Sequence, residues 1–110
     1  MKFDFDKDVI DGLQEIFGSR LLRIVLYGSV ARGTDLPESD IDIAIILDSE
    51  LNPDLKELLV DFAVDLDLKY NRVFSIVDIY HDNYEKLRCI LPFYRNIGDE
   101  GIVLWDKAED

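Results

Sequence analysis

Two short apolar runs set the terms on which this chain can fold. LLRIVLY at residues 21–27 stops at Gly28-Ser29, and DIDIAIIL opens on Asp40-Ile41-Asp42 after ten intervening residues. Runs of this length, rich in Ile, Val and Leu and bounded by Gly or by a Pro-containing loop, read as buried strands. In the second run a period of two puts Asp40, Asp42 and Ala44 on one face and Ile41, Ile43 and Ile45 on the other. A sheet carrying such strands needs helices over its apolar surface.

The remaining segments supply those helices. Val9, Ile10, Leu13, Ile16 and Phe17 recur at helical spacing ahead of Gly18 and predict a helix over residues 7–17. Residues 29–33 read as a short helical turn. Asn52 and Pro53 form an N-cap and first-turn pair for a second helix, with Leu55, Leu58, Leu59, Phe62, Ala63 and Leu66 as its apolar stripe. VFSIVDIY at 73–80 reads as a third strand, with Asp78 on the face shared by Phe74, Ile76 and Tyr80. The stretch from His81 to Gly101 holds one or two short helices broken near Pro92, and IVLW returns as a final short or edge strand. The fold class is therefore α/β (α+β), a small mixed sheet flanked by helices, in one domain spanning 1–110.

Charge narrows the functions open to such a domain. Against 12 Lys and Arg stand 24 Asp and Glu, a formal net charge of -12. That sign opposes direct binding to nucleic acid, where affinity comes from basic residues on phosphates. It suits a site that collects cations, and it would speed encounter with a basic partner. The lone cysteine, Cys89, allows no internal disulfide, and the opening MKFDFDKD lacks the basic start and apolar run of a signal peptide. No apolar stretch approaches the roughly 20 residues of a membrane span. A cytoplasmic protein without membrane contact is expected.

Asp40 and Asp42, at i and i+2 on a strand, point the same way with side-chain origins about 7 Å apart. Two hard anionic groups at that distance repel unless a cation lies between them, and carboxylates plus phosphate oxygens are the usual ligands of Mg²⁺. Gly28 lets backbone approach a phosphate closely, and Ser29 adds a hydroxyl at the start of a turn whose N–H groups can bind its oxygens. Arg32 either contacts phosphate or braces the loop against Asp35, Glu38 or another carboxylate. His81 beside Asp82 is read as structural.

Gly28-Ser29, ten residues, then Asp40-Ile41-Asp42 resembles the signature of the nucleotidyltransferases of the DNA polymerase β superfamily. GSVARGTDLPESDIDIAI, with the ending RNIGDEGIVLW, is similar in particular to minimal nucleotidyltransferase (MNT) domains, which are about this long. The resemblance implies a polymerase β-like fold and Mg-dependent transfer of a nucleotidyl group. Two Mg²⁺ ions would be bridged by Asp40 and Asp42, ATP would be the substrate, and Gly28 and Ser29 would hold its β and γ phosphates. It also implies a third carboxylate from a later strand. Asp78, the acidic residue inside VFSIVDIY, is the candidate for that role as metal ligand and proton acceptor.

Minimal domains of this kind typically pair with HEPN-domain ribonuclease toxins. The resemblance thus implies an antitoxin of a type VII-like module, a protein adenylyltransferase that moves AMP to a toxin tyrosine in a hetero-oligomeric complex. Two other readings stay open: an antitoxin acting by stoichiometric contact without catalysis, and a transferase for a small molecule of the aminoglycoside kind. The short chain, with no room for an added acceptor domain, weighs against the latter.

Overall fold

The computed structural model describes residues 3–36 and 38–109; Met1, Lys2 and Pro37, which fall within stretches quoted above, and Asp110, the end of the expected domain, lie outside the described residues. The chain runs α1 (Asp6–Phe17), β1 (Leu21–Tyr27), α2 (Gly28–Arg32), β2 (Ile41–Leu47), α3 (Pro53–Tyr70), β3 (Phe74–Tyr80), α4 (His81–Leu87), α5 (Pro92–Glu100) and β4 (Ile102–Asp106). Short 3-10 turns precede β1 and follow β4.

The four strands form one sheet in the order β3-β2-β1-β4. β1 is antiparallel to both its neighbours, whereas β2 and β3 are parallel, with α3 as the crossover between them. The sheet is mixed, in agreement with the expected fold class. β2 is central, and only Asp42 of its seven residues escapes full burial.

Two apolar layers cover the sheet. On one face, Ile24, Leu26, Ile41, Ile43 and Ile45 pack against Val9, Leu13 and Phe17 of α1 and Leu59 and Leu66 of α3. On the other, Val25, Ala44, Ile46 and Ile79 meet Tyr84 of α4 and Ile97 of α5. Each fully buried Leu or Ile contributes about 1.5–3 kcal/mol relative to leaving it in water. The strict alternation of β2 is what lets one strand serve both layers.

Local chemistry accounts for the element ends. Asn52 Oδ1 accepts a 2.8 Å hydrogen bond from the Leu55 N–H, with Pro53 opening the helix behind it. α3 stops at Asn71, which adopts the left-handed conformation with φ 55° that Asn tolerates well. Pro92 likewise opens α5, so the stretch after β3 holds two helices. Leu58 departs from the stripe predicted for α3: it is 50% exposed, because the helical advance of 100° per residue carries it off the line of Leu59 and Leu66. Among the described residues no helix is long and apolar enough to cross a membrane.

Candidate active site

β1 ends where β2 begins. In the antiparallel register Tyr27 pairs with Asp42, and the chain leaves Tyr27 directly into Gly28 and α2. Gly28 sits at φ 75°, a left-handed conformation that favours glycine. A Cβ on it would lie 2.3 Å from Oδ2 of Asp42, so the carboxylate rests against the Gly28 backbone. Both the torsion and the contact exclude a side chain here. Ser29 follows as the second residue of α2, half-buried, and its carbonyl accepts from the Thr34 N–H at 3.0 Å, closing the turn through Gly33.

Asp42 lies on the face of the sheet that carries Ala44 and Ile46, and Asp40 stands just before the strand. Burial and the like charge of Asp40 both push the Asp42 carboxyl above its ordinary value, and the Arg32 guanidinium pulls in the opposite direction. Arg32 also reaches Glu100 at the end of α5 with a 3.4 Å ion pair, so of the braces foreseen for it the structure forms one to a distant carboxylate. Burial and the charge of Asp42 also raise the pKa of Tyr27, whose ring meets Phe93 edge-on at 5.6 Å between centroids.

Asp78 does not join the pair. In the parallel register of β2 and β3, Asp78 stands opposite Ile45 and Ser75 stands opposite Asp42. Residues in register share a face, so Asp78 points toward the α1 and α3 layer, away from Asp40 and Asp42. There its Oδ1 accepts a 3.0 Å hydrogen bond from Lys56 Nζ of α3, which explains a carboxylate in an apolar strand. Asp78 thus stands on the opposite face from the pair, and the β3 residue in register with Asp42 is Ser75. Among the described residues no three His, Cys, Asp or Glu side chains gather as a metal site.

The residues present nevertheless fit a divalent cation. Asp42 has its charge opposed by burial and by Asp40, a strain that a bound cation would relieve. Mg²⁺ usually keeps several waters and takes one or two carboxylates plus substrate phosphates. Two carboxylates suffice for such a site, and a third protein ligand is not required.

Arg72, in the turn between α3 and β3, gave no signal in the sequence. Its Nη2 donates to the Ser39 carbonyl at 2.9 Å and lies 3.5 Å from Asp35 Oδ2. Ser39 Oγ in turn accepts from the Leu36 N–H at 2.9 Å, and the Ile41 N–H donates to the Val73 carbonyl at 2.8 Å. The approach to Asp40 is thereby tied to the start of β3. A separate cavity of about 300 Å³, lined by Leu22, Ile46, Tyr84 and Ala108 together with Arg23, His81, Glu85, Asp106 and Lys107, lies toward the other end of the strands.

The nucleotidyltransferase domain family matches residues 7–104. A protein of Methanocaldococcus jannaschii, named provisionally as a protein adenylyltransferase, is 32% identical over 99 residues, covering 90% of this chain and 93% of its own. Among solved structures, a chain in a mutant of the toxin-antitoxin complex MntA-HpeT superposes with a TM-score of 0.67 at 23% identity, covering 96% of this chain and 76% of that one. A complex of a tri-AMPylated Shewanella oneidensis HEPN toxin with its MNT antitoxin gives 0.61 at 22% identity, with 96% and 72% covered. The structural likenesses show a shared fold.

Proposed function

The chain belongs to the nucleotidyltransferase domain family, and on that premise we propose that it is a protein adenylyltransferase, the antitoxin of a type VII-like module, which transfers AMP from ATP to a tyrosine of a HEPN ribonuclease toxin. The observation that carries this reading is the seating of the Asp42 carboxylate against the Gly28 backbone, with Asp40 and Arg32 close enough to act on its charge. One anionic pair and one bare stretch of backbone thus share a single corner of the sheet. The kinship with a provisionally named protein adenylyltransferase, and the fold shared with antitoxins of HEPN toxins, favour a protein acceptor.

In this reading Gly28 and Ser29 bind the β and γ phosphates, Gly28 because nothing projects from it and Ser29 through its hydroxyl and N–H. Asp40 and Asp42 would hold Mg²⁺, which supplies charge neutralisation for the triphosphate and the departing pyrophosphate. Arg32, anchored by Glu100, adds positive charge beside the phosphates. The tyrosine oxygen attacks the α-phosphorus, the bond to the bridging oxygen of pyrophosphate breaks, and the hydroxyl proton leaves to water. Adenylate on the toxin then adds bulk and negative charge where RNA phosphates bind.

Transfer of labelled AMP from α-labelled ATP to the HEPN protein tests this. Asp42→Asn and Asp40→Asn should each lower the rate by about 10²-fold or more, as loss of a preorganised electrostatic group does, with the circular dichroism spectrum unchanged. Transfer at the parental rate by the Asp42→Asn protein would refute the assignment. One observation favours a second reading, silencing by contact alone: Ser75 faces the pair where an acidic residue could have received a proton. Full inhibition of the toxin by the Asp42→Asn protein at equal stoichiometry would select contact over chemistry.

A further inference from the structure

α3 carries more apolar surface than the core uses. It buries Leu59 and Leu66, yet Val60, Val64 and Leu68 remain 50%, 48% and 79% exposed. Spaced four residues apart, these three form one row along the outer side of the helix. Isolated exposed apolar residues are ordinary, whereas a contiguous row on a water-facing helix marks an interaction surface.

The charges beside this row decide what it can receive. Glu57, Asp61 and Asp65, again four apart and all exposed, form the adjacent row. The basic residues of α3 are Lys56 and Lys69, and both are engaged elsewhere, Lys56 with Asp78 at 3.0 Å and Lys69 with Asp8 at 2.6 Å. Among the described residues none of the three row carboxylates has an ion-pair partner. The face therefore offers an apolar row edged by uncompensated negative charge.

We infer that the outer face of α3 is a docking surface for an amphipathic helix of a different protein, one that carries an apolar row beside a Lys or Arg row. Apolar contact would supply affinity, and the facing charge rows would set orientation and partner choice. A second copy of this chain is a poor occupant, because its α3 face carries the same uncompensated carboxylates and no free basic row to set against them. An anionic lipid surface is repelled for the same reason. This surface is separate from the Asp40 and Asp42 corner and needs no nucleotide.

The test uses the full chain and two fluorescently labelled synthetic helices with the same Leu row, one edged with Lys and the other with Glu. Anisotropy titration without ATP should show binding of the Lys-edged helix only, weakening as salt rises. Val64→Ser with Leu68→Ser should weaken that binding by about tenfold or more, as truncation of a buried interface anchor does. Asp61→Lys with Asp65→Lys should transfer preference to the Glu-edged helix. Failure of the Lys-edged helix to bind, or binding indifferent to Val64→Ser and Leu68→Ser, would overturn the inference. So would sedimentation as a dimer that those two substitutions dissolve, since the occupant would then be a second copy. Because binding is read without transfer, neither result bears on the adenylyl-transfer reading.

Discussion

Asp42 is the residue on which chemistry and stability meet. Its carboxyl lies above the ordinary carboxylate value, first through burial and then through the charge of Asp40. A raised pKa in the folded state means that the folded chain binds the proton more tightly than the unfolded one. Ionised Asp42 therefore costs stability above that pKa, and the cost fades as pH falls through it. Asp42→Asn should melt at a higher temperature than the parent near neutrality, with the gap closing as pH is lowered into the carboxylate range. Added Mg²⁺ should raise the melting temperature of the parent and leave that of Asp42→Asn unmoved; scanning calorimetry across pH checks both. Arg72 acts through its neighbours, since it holds the Ser39 carbonyl and Asp35 and so positions Asp40. Arg72→Ala should lower kcat for transfer by about 10-fold to 10²-fold, the scale of a displaced catalytic group, and speed amide exchange at residues 38–41. Arg72→Lys, which keeps one donor for Ser39, should recover part of both. An unchanged exchange rate in Arg72→Ala would show that Arg72 does not hold this segment. Gly28, Ser29, Asp40 and Asp42 could be grouped from sequence because the residues of the proposed phosphate and cation corner lie close together in the chain. Arg72 could not, because the nearer of its partners, Ser39, lies 33 residues away and nothing in Asn71-Arg72-Val73 marks the contact.

Elements follow from local signals more readily than their mutual register does. The Asn52 cap, the Pro53 start and the apolar run of β2 are written in adjacent residues, and the structure shows each of them. Asn52→Ala should therefore cost about 1 kcal/mol, as lost N-caps do, and lower the melting temperature by about 4–8 °C in a domain near this size. A melting curve that does not move would mean that α3 is held by packing alone. Asp78 shows the opposite case. Period two placed it correctly on the face of Phe74 and Ile76, but whether that face also carries Asp42 depends on how β3 slides along β2. A shift of one residue reverses every side chain. The slide is set by the length and seating of the α3 crossover, which no residue of β3 encodes. Leu58 is a smaller instance, since a stripe read from spacing alone cannot say which of two adjacent leucines meets the sheet.

At the scale of the whole molecule, charge governs encounter. A net charge of -12 on 110 residues surrounds a corner that, in the proposed reading, binds cations and meets a basic RNA-cleaving partner. Association with such a partner should be fast at low salt and slow markedly as ionic strength rises, since steering is screened over roughly 10 Å at 0.1 M. Stopped-flow association rates across a salt series would show it, and a flat series would mean that steering plays no part. The central claim is that this chain modifies its partner rather than merely covering it. The most direct test is the intact mass of the HEPN toxin after incubation with this protein, ATP and Mg²⁺, beside an Asp42→Asn control. Added mass in whole adenylyl units, absent in the control, is the predicted result. A toxin of unchanged mass in a stable, inhibited complex would contradict it.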